Sequence, residues 1–109
     1  MKEIKIGFGE TYYIAKINSK RFFLGSEYTE IIDSMKKDTL LFEDIPIEIP
    51  QKELIEKIQF VNGLSERTIL KNIYTLEKNG ILKCKHARNS SGKIKILALN
   101  KKIEFSVLK

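Results

Sequence analysis

Leu64-Ser65-Glu66-Arg67-Thr68-Ile69-Leu70-Lys71-Asn72-Ile73-Tyr74-Thr75-Leu76-Glu77-Lys78-Asn79-Gly80-Ile81-Leu82 reads as a capped helix that ends abruptly and hands over to a strand. The hydroxyl of Ser65 is placed to accept a backbone N–H left free in the first helical turn. Thr68 stands three residues on, where a capping box would carry Glu or Gln, so Ser65 is a plain N-cap. Ile69, Ile73 and Leu76 recur at helical spacing, with Leu64 and Ile81 just outside, and form one apolar stripe. The opposite face carries Arg67, Thr68, Lys71, Asn72, Thr75 and Lys78. Asn79-Gly80 tolerates positive φ and closes the helix, which the spacing predicts over 65–79.

Two basic arms follow. Ile81-Leu82-Lys83-Cys84-Lys85-His86-Ala87 and Lys93-Ile94-Lys95-Ile96-Leu97-Ala98-Leu99 alternate apolar and basic residues, the period of a half-buried strand. Between them, Arg88-Asn89-Ser90-Ser91-Gly92 is polar and is expected to form a loop longer than a two-residue turn. A Ser-capped helix ending in Gly and running straight into a basic β-hairpin resembles the recognition helix and wing of a winged helix-turn-helix domain. The resemblance extends over residues 26–99 at the level of pattern. It is most specific over 64–99, where Leu-Ser-x-x-Thr-Ile-x-x-x-Ile-x-x-Leu-Glu-x-x-Gly-Ile-Leu matches residue for residue.

Charge is concentrated in the same place. Between Ser65 and Lys95 there are six Lys, two Arg and two Glu, a balance of +6 that equals the formal charge of the whole chain. The remaining residues balance, with 12 basic against 12 acidic. An excess confined to one helix and its hairpin is an electrostatic footprint for a polyanion, whereas an even spread would serve only solubility.

With 109 residues the chain is long enough for one hydrophobic core and too short for two. Its 42% apolar and 31% charged content is that of an ordinary soluble globular protein. No apolar run approaches the roughly 18 residues needed to cross a membrane, and the N-terminus lacks a signal-peptide core. One cysteine cannot form an internal disulfide, so the expected compartment is the cytoplasm.

Outward from the helix, the N-terminal quarter reads as β-structure. Residues 3–7 alternate as a short strand; Thr11–Ile17 and Arg21–Leu24, joined by Asn18-Ser19-Lys20, form a hairpin rich in aromatic rings. Such rings stack on bases in some proteins but more commonly cover a core or a partner subunit. Gly7-Phe8-Gly9 is no dinucleotide loop, because Tyr12 occupies the third glycine position and no helix pattern opens there. Ser26 is expected to cap a helix through Lys37, burying Tyr28, Ile31, Ile32 and Met35. Thr39–Asp44 is a connection. Ile45–Ile49 alternates and resembles the short strand that pairs with the wing, with Pro46 at an edge or strand start.

Pro50 fits the first turn of the next helix, which runs from Gln51 to about Gln59 or Val61 with Leu54, Ile55 and Ile58 inward. Asn62-Gly63 is the turn before Ser65. A compact helix-turn-helix reaches its capping residue about four residues sooner, so either this helix or this turn is longer. Beyond Leu99, Asn100-Lys101-Lys102 is a turn. Residues 103–108 alternate as a last strand beside the N-terminal hairpin or as an arm exchanged between subunits. The chain therefore divides into an extension (1–25), a winged helix-turn-helix domain (26–99) and a C-terminal strand or arm (100–109). This is an α+β fold of three helices and a wing with an added N-terminal β-hairpin.

Enzyme chemistry has little to stand on. Cys84 and His86 are the sole residues of their kinds, two apart on one strand and hence on one face. Structural zinc needs four ligands, and a catalytic thiolate needs an orienting third group. Cys84 reads as a small buried hydrophobe and His86 as a strand residue near the base of the wing. Glu53 and Glu56 share a helix face with Lys52 and Lys57 as a solvated surface. No cofactor, metal or small-molecule ligand is implied.

The resemblance implies a sequence-specific binder of double-stranded DNA, acting as a transcriptional regulator. Helix 65–79 would enter the major groove, and the hairpin 81–99 would lie along the backbone or minor groove. Arg67, Thr68, Lys71 and Asn72 are then the candidates for base edges. Ser65, Thr75, Lys78, Lys83, Lys85, Arg88, Lys93 and Lys95 are the candidates for phosphate. Homodimerisation follows as an expectation, with the apolar segments 11–24 and 103–108 as its interface. A hairpin ahead of such a core also resembles small winged helices that capture a peptide as an added strand between hairpin and helix. The confinement of charge to 65–95 disfavours that reading. RNA binding and an architectural role share the same charge pattern.

Overall fold

The computed structural model of the protein describes residues 2–39, 48–90, 92–100 and 102–107. Among them are three α-helices and seven strands in two sheets, an α+β arrangement. The first sheet contains β1 (Lys2–Ile6), β2 (Thr11–Ile17), β3 (Lys20–Gly25) and β7 (Glu104–Val107), in the order β1-β3-β2-β7. The expected hairpin is β2–β3, closed at Ile17↔Lys20, with Asn18 at φ 53° supplying the left-handed turn residue. β1 lies parallel to β3, and β7 pairs antiparallel with β2 of its own chain. Alternation sends Ile6, Ala15, Phe22 and Leu24 into the core, with Ile4, Tyr13 and Phe105 packed at its margin.

The chain leaves β3 through a single 3₁₀ turn, Ser26–Tyr28, and enters α1 (Thr29–Thr39). Ser26 does not cap this helix, contrary to the sequence expectation. Gly25 occupies the cap position and Ser26 already lies inside the turn, so no side-chain cap bond forms. The buried stripe is the expected one: Tyr28, Ile31, Ile32 and Met35. The connection up to Asp44 and most of the 45–49 strand, Pro46 included, fall outside the described residues, apart from Thr39 at the end of α1. What is described of it, β4 (Glu48–Pro50), pairs with β6 through Ile49↔Leu97.

α2 (Gln51–Asn62) buries Leu54, Ile55 and Ile58. Pro50 stands one residue before it, at φ −58° and ψ 136°, so the proline ends β4 and does not start the first helical turn. Gly63, at φ 68°, stops the helix and donates to the Gln59 carbonyl at 2.9 Å. Only Gly63, Leu64 and Ser65 separate α2 from α3 (Glu66–Lys78). The extra length in this chain therefore lies in the helix, and the turn is short.

α3 buries Ile69, Ile73 and Leu76. Gly80 alone takes positive φ at its end (78°), while Asn79 stays at φ −92° and turns its amide back to the Thr75 carbonyl at 2.8 Å. β5 (Leu82–Asn89) and β6 (Gly92–Leu99) then form a hairpin, giving the second sheet the order β4-β6-β5. Here the sequence reading is corrected. Residues 88–92 are not a long loop, because the ladder continues through Arg88↔Lys93 to Asn89↔Gly92 and leaves only residues 90 and 91 between. Polarity suggested a loop, but the ladder bonds use backbone groups and admit polar side chains on a solvated hairpin. One hydrophobic cluster joins both sheets and all three helices, and no polar or charged side chain is buried among the described residues.

Candidate nucleic-acid interface

Ser65 caps α3 as the sequence predicts. Its Oγ accepts the Thr68 N–H at 3.2 Å and donates to Thr68 Oγ1 at 2.9 Å. Both hydroxyls are exposed at the helix start but already engage one another, so the pair fixes the N-terminus of α3. One turn on, the polar residues divide between two directions. Asn72 is half-buried, and its amide reaches the Glu27 carbonyl at 3.5 Å. Thr75 donates to the Lys71 carbonyl at 3.0 Å, with its hydroxyl beside the Tyr28 phenol. Burial pushes that phenol above its usual value; the Thr75 hydroxyl acts against this, and the Glu27 charge adds to it. Asn72 and Thr75 thus tie α3 to the 3₁₀ turn.

The outward face of α3 holds Arg67, Lys71 and Lys78, all exposed. It also holds Tyr74, 63% exposed, which the sequence reading did not single out. The signal was there: Tyr74 stands seven residues after Arg67, three after Lys71 and four before Lys78, the spacing of one helical face. Arg67, Lys71 and Lys78 have no ion-pair partner among the described residues.

The hairpin separates its cations by parity. Leu82 and Leu97 face the core, so His86, Arg88, Lys93 and Lys95 share that inner face, toward α3. Lys83 and Lys85 stand on the other face. Lys85 Nζ pairs there with Glu48 Oε2 at 2.8 Å. The structure does not bring Lys83 and Lys85 together with α3. Lys95 is also engaged, since its Nζ lies 2.8 Å from Glu77 Oε1 on α3. Arg88 and Lys93 are exposed and have no ion-pair partner among the described residues, and they stand directly opposite each other across the ladder. Like charges so placed repel, and a bound anion between them would relieve the repulsion.

A scan against protein-family models finds no match, and searches of curated proteins and of solved structures return none. The site therefore rests on its own geometry.

Cys84 is a free, exposed thiol, correcting its assignment as a buried hydrophobe. Its face is the inner one, but β5 is the edge strand of its sheet, and the edge leaves the side chain open to water. Among the described residues no group of three or more Cys, His, Asp or Glu is placed to hold a metal. No described helix is long and apolar enough to cross a membrane.

Proposed function

We propose that this chain is a winged helix-turn-helix protein that binds double-stranded DNA in the cytoplasm as a non-catalytic transcriptional regulator, working as a homodimer. α3 occupies the major groove, and the β5–β6 hairpin is the wing, lying on the adjacent backbone or minor groove. The observation that carries this reading is the set of cations without an ion-pair partner among the described residues, on the outward face of α3 and on the hairpin face linked to it. Arg67, Lys71 and Lys78 line the open face of α3, and Arg88 and Lys93 project from the hairpin face that Lys95 fastens to the same helix. Folding alone gives no reason to place five unneutralised charges there. A phosphate backbone does.

Peptide capture as an added strand loses its docking edge in this architecture. The edge of β3 that such a peptide would extend is filled along its length by β1, from Lys2↔Lys20 to Ile6↔Leu24. The deciding experiment is fluorescence anisotropy of labelled duplex across a salt series. With three to five of these cations each neutralising one phosphate, log K falls against log salt with a slope of about −3 to −4.5. A flat response, or no duplex binding at low salt, removes the DNA reading.

A further inference from the structure

We infer that the Gly7-Phe8-Gly9 loop is a second duplex-contacting element, on the flank of α3 opposite the hairpin, presenting the Phe8 ring to the adjoining minor groove. The inference rests on the DNA reading above and extends it to a part of the chain outside the helix-and-hairpin unit.

Phe8 is 86% exposed, yet the loop that carries it is closely held. Its backbone N–H meets both oxygens of the Glu27 carboxylate, at 2.9 and 3.1 Å, and Lys5 Nζ reaches the Gly9 carbonyl at 3.1 Å. Gly7 and Gly9 take φ of 88° and 79°, values that L side chains rarely adopt. A Cβ on Gly7 would lie 2.2 Å from Glu27 Oε1 and 2.6 Å from the Tyr28 ring. One on Gly25 would lie 2.5 Å from the Phe8 carbonyl. The loop backbone thus closes on Glu27 and Tyr28 with no room for a side chain at Gly7, and it carries the exposed Phe8 ring at its tip. Because the backbone beneath it is already ordered, contact costs only the ring's own rotamer freedom and no ordering of the loop.

Its location follows from the same residues. The Glu27 carbonyl accepts from Asn72, and the Tyr28 phenol lies beside Thr75, both on one flank of α3. Glu77, which holds Lys95, is on the other flank. Hairpin and loop therefore bracket the face of Arg67, Lys71, Tyr74 and Lys78. With α3 in a major groove, each bracket meets one bordering strand and the minor groove beyond it. The hairpin brings cations, and the loop brings an aromatic ring. Apolar side chains at such places pack on sugars or wedge between base steps and bend the duplex. Phe8 itself carries no charge, and no cation projects with it at the tip of the loop, so this contact is apolar. It adds affinity without releasing counterions.

The test uses the full chain and the duplex recovered by site selection with the wild type. Affinities of the wild type, Phe8→Ala and Phe8→Leu are measured across a salt series, with dyes on the duplex ends reporting the bend by energy transfer. Phe8→Ala should weaken binding by about tenfold at every salt concentration, leave the salt slope unchanged and straighten the duplex, with Phe8→Leu intermediate. Thermal unfolding should be the same for all three, since the ring is exposed. Wild-type affinity and bend in Phe8→Ala overturn the inference while the DNA reading stands. A loss accompanied by a shallower slope overturns it too, because the contact would be ionic. If the wild type binds no duplex, both fail together.

Discussion

Lys95→Ala tests how the hairpin is fastened to α3, and its size can be worked from the ion pair. Lys95 Nζ lies 2.8 Å from Glu77 Oε1, with the two side chains 31% and 17% exposed. That oxygen is sealed from solvent and no donor is aligned to hydrogen-bond it, so its charge is met by Lys95 alone among the described residues. A fully exposed pair contributes about 0.2–1 kcal/mol, and stripping the partner from a fully buried charge costs about 3–5 kcal/mol. This pair lies between, so Lys95→Ala should cost about 1.5–2 kcal/mol. At an unfolding entropy of roughly 2.1 cal/mol/K per residue, the melting temperature falls by about 7–9 °C. Lys93→Ala is the control: Lys93 is exposed, has no ion-pair partner among the described residues and faces Arg88, so its loss should leave the melting temperature unchanged or slightly raised. Thermal and urea unfolding by circular dichroism, with Glu77→Ala and the double variant, complete the cycle. The double variant should recover part of the cost of the singles. Additive effects, or equal melting temperatures for Lys95→Ala and Lys93→Ala, would refute the reasoning and return Lys95 to the phosphate-binding role that its spacing suggests.

Four further outcomes are expected. Ser65→Ala removes the acceptor of the Thr68 N–H and should lower stability by about 1 kcal/mol, read by urea unfolding, while Ser65→Asp should keep most of it. Arg67→Ala should leave unfolding unchanged but narrow the gap between the selected site and random duplex by about 1–3 kcal/mol. Asn72→Ala should lower stability, because its amide holds the Glu27 carbonyl; site selection with both variants separates a base reader from a tether. Tyr13 supplies a pH dependence: its hydrogen bond to Asp33, burial, and the charges of Asp33 and Glu30 push the phenol from 10.0 up to about 12. The folded protein keeps this proton longer than the unfolded chain. The associated stability is therefore complete below pH 10 and is lost as pH rises toward about 12. Unscreened, the shift would be worth about 2–3 kcal/mol, and solvent screening of this part-exposed group reduces the loss to on the order of 1 kcal/mol; Tyr13→Phe should flatten that part of the stability profile.

Periodicity made the helices legible. The stripes Tyr28-Ile31-Ile32-Met35, Leu54-Ile55-Ile58 and Ile69-Ile73-Leu76 are all buried, because a face that must leave water marks itself at 3.6-residue spacing. Strand partners were legible only in part: the pairing of β4 with the hairpin is the expected one, and a last strand beside the N-terminal hairpin is one of the two alternatives the pattern offers. Residues 2–6 and 104–107 alternate as strands do, but nothing local says that the first pairs in parallel with β3 or that the second closes on β2. Those pairings join segments far apart in the chain, and hydrophobic alternation fixes a face without fixing a neighbour. The hairpin turn was misread for a related reason: a polar run between apolar arms suggests a loop, and only the ladder shows the backbone staying paired to Asn89↔Gly92.

Site residues were legible as chemical types and not as directions. Counting charge over 65–95 cannot tell Lys95 from Lys93, yet one lies against Glu77 and the other faces water. Nor does it tell Lys85, paired with Glu48 on the far face of the sheet, from Arg88 on the near one. Period two alone separates the faces, once the buried Leu82 and Leu97 establish which parity points inward. On α3 the division is finer. Asn72 and Thr75 lie close to the face of Lys71, and what turns them aside is the carbonyl of Glu27 and the phenol of Tyr28, supplied from more than forty residues upstream. A polar helix residue beside a second element satisfies that element's backbone first, since an unmet buried carbonyl costs about 1–3 kcal/mol. Only the residues that no neighbour claims remain for a ligand. On the outward face of this helix those are Arg67, Lys71, Tyr74 and Lys78, with Glu66 at its start, a shorter and differently composed set than the sequence offered.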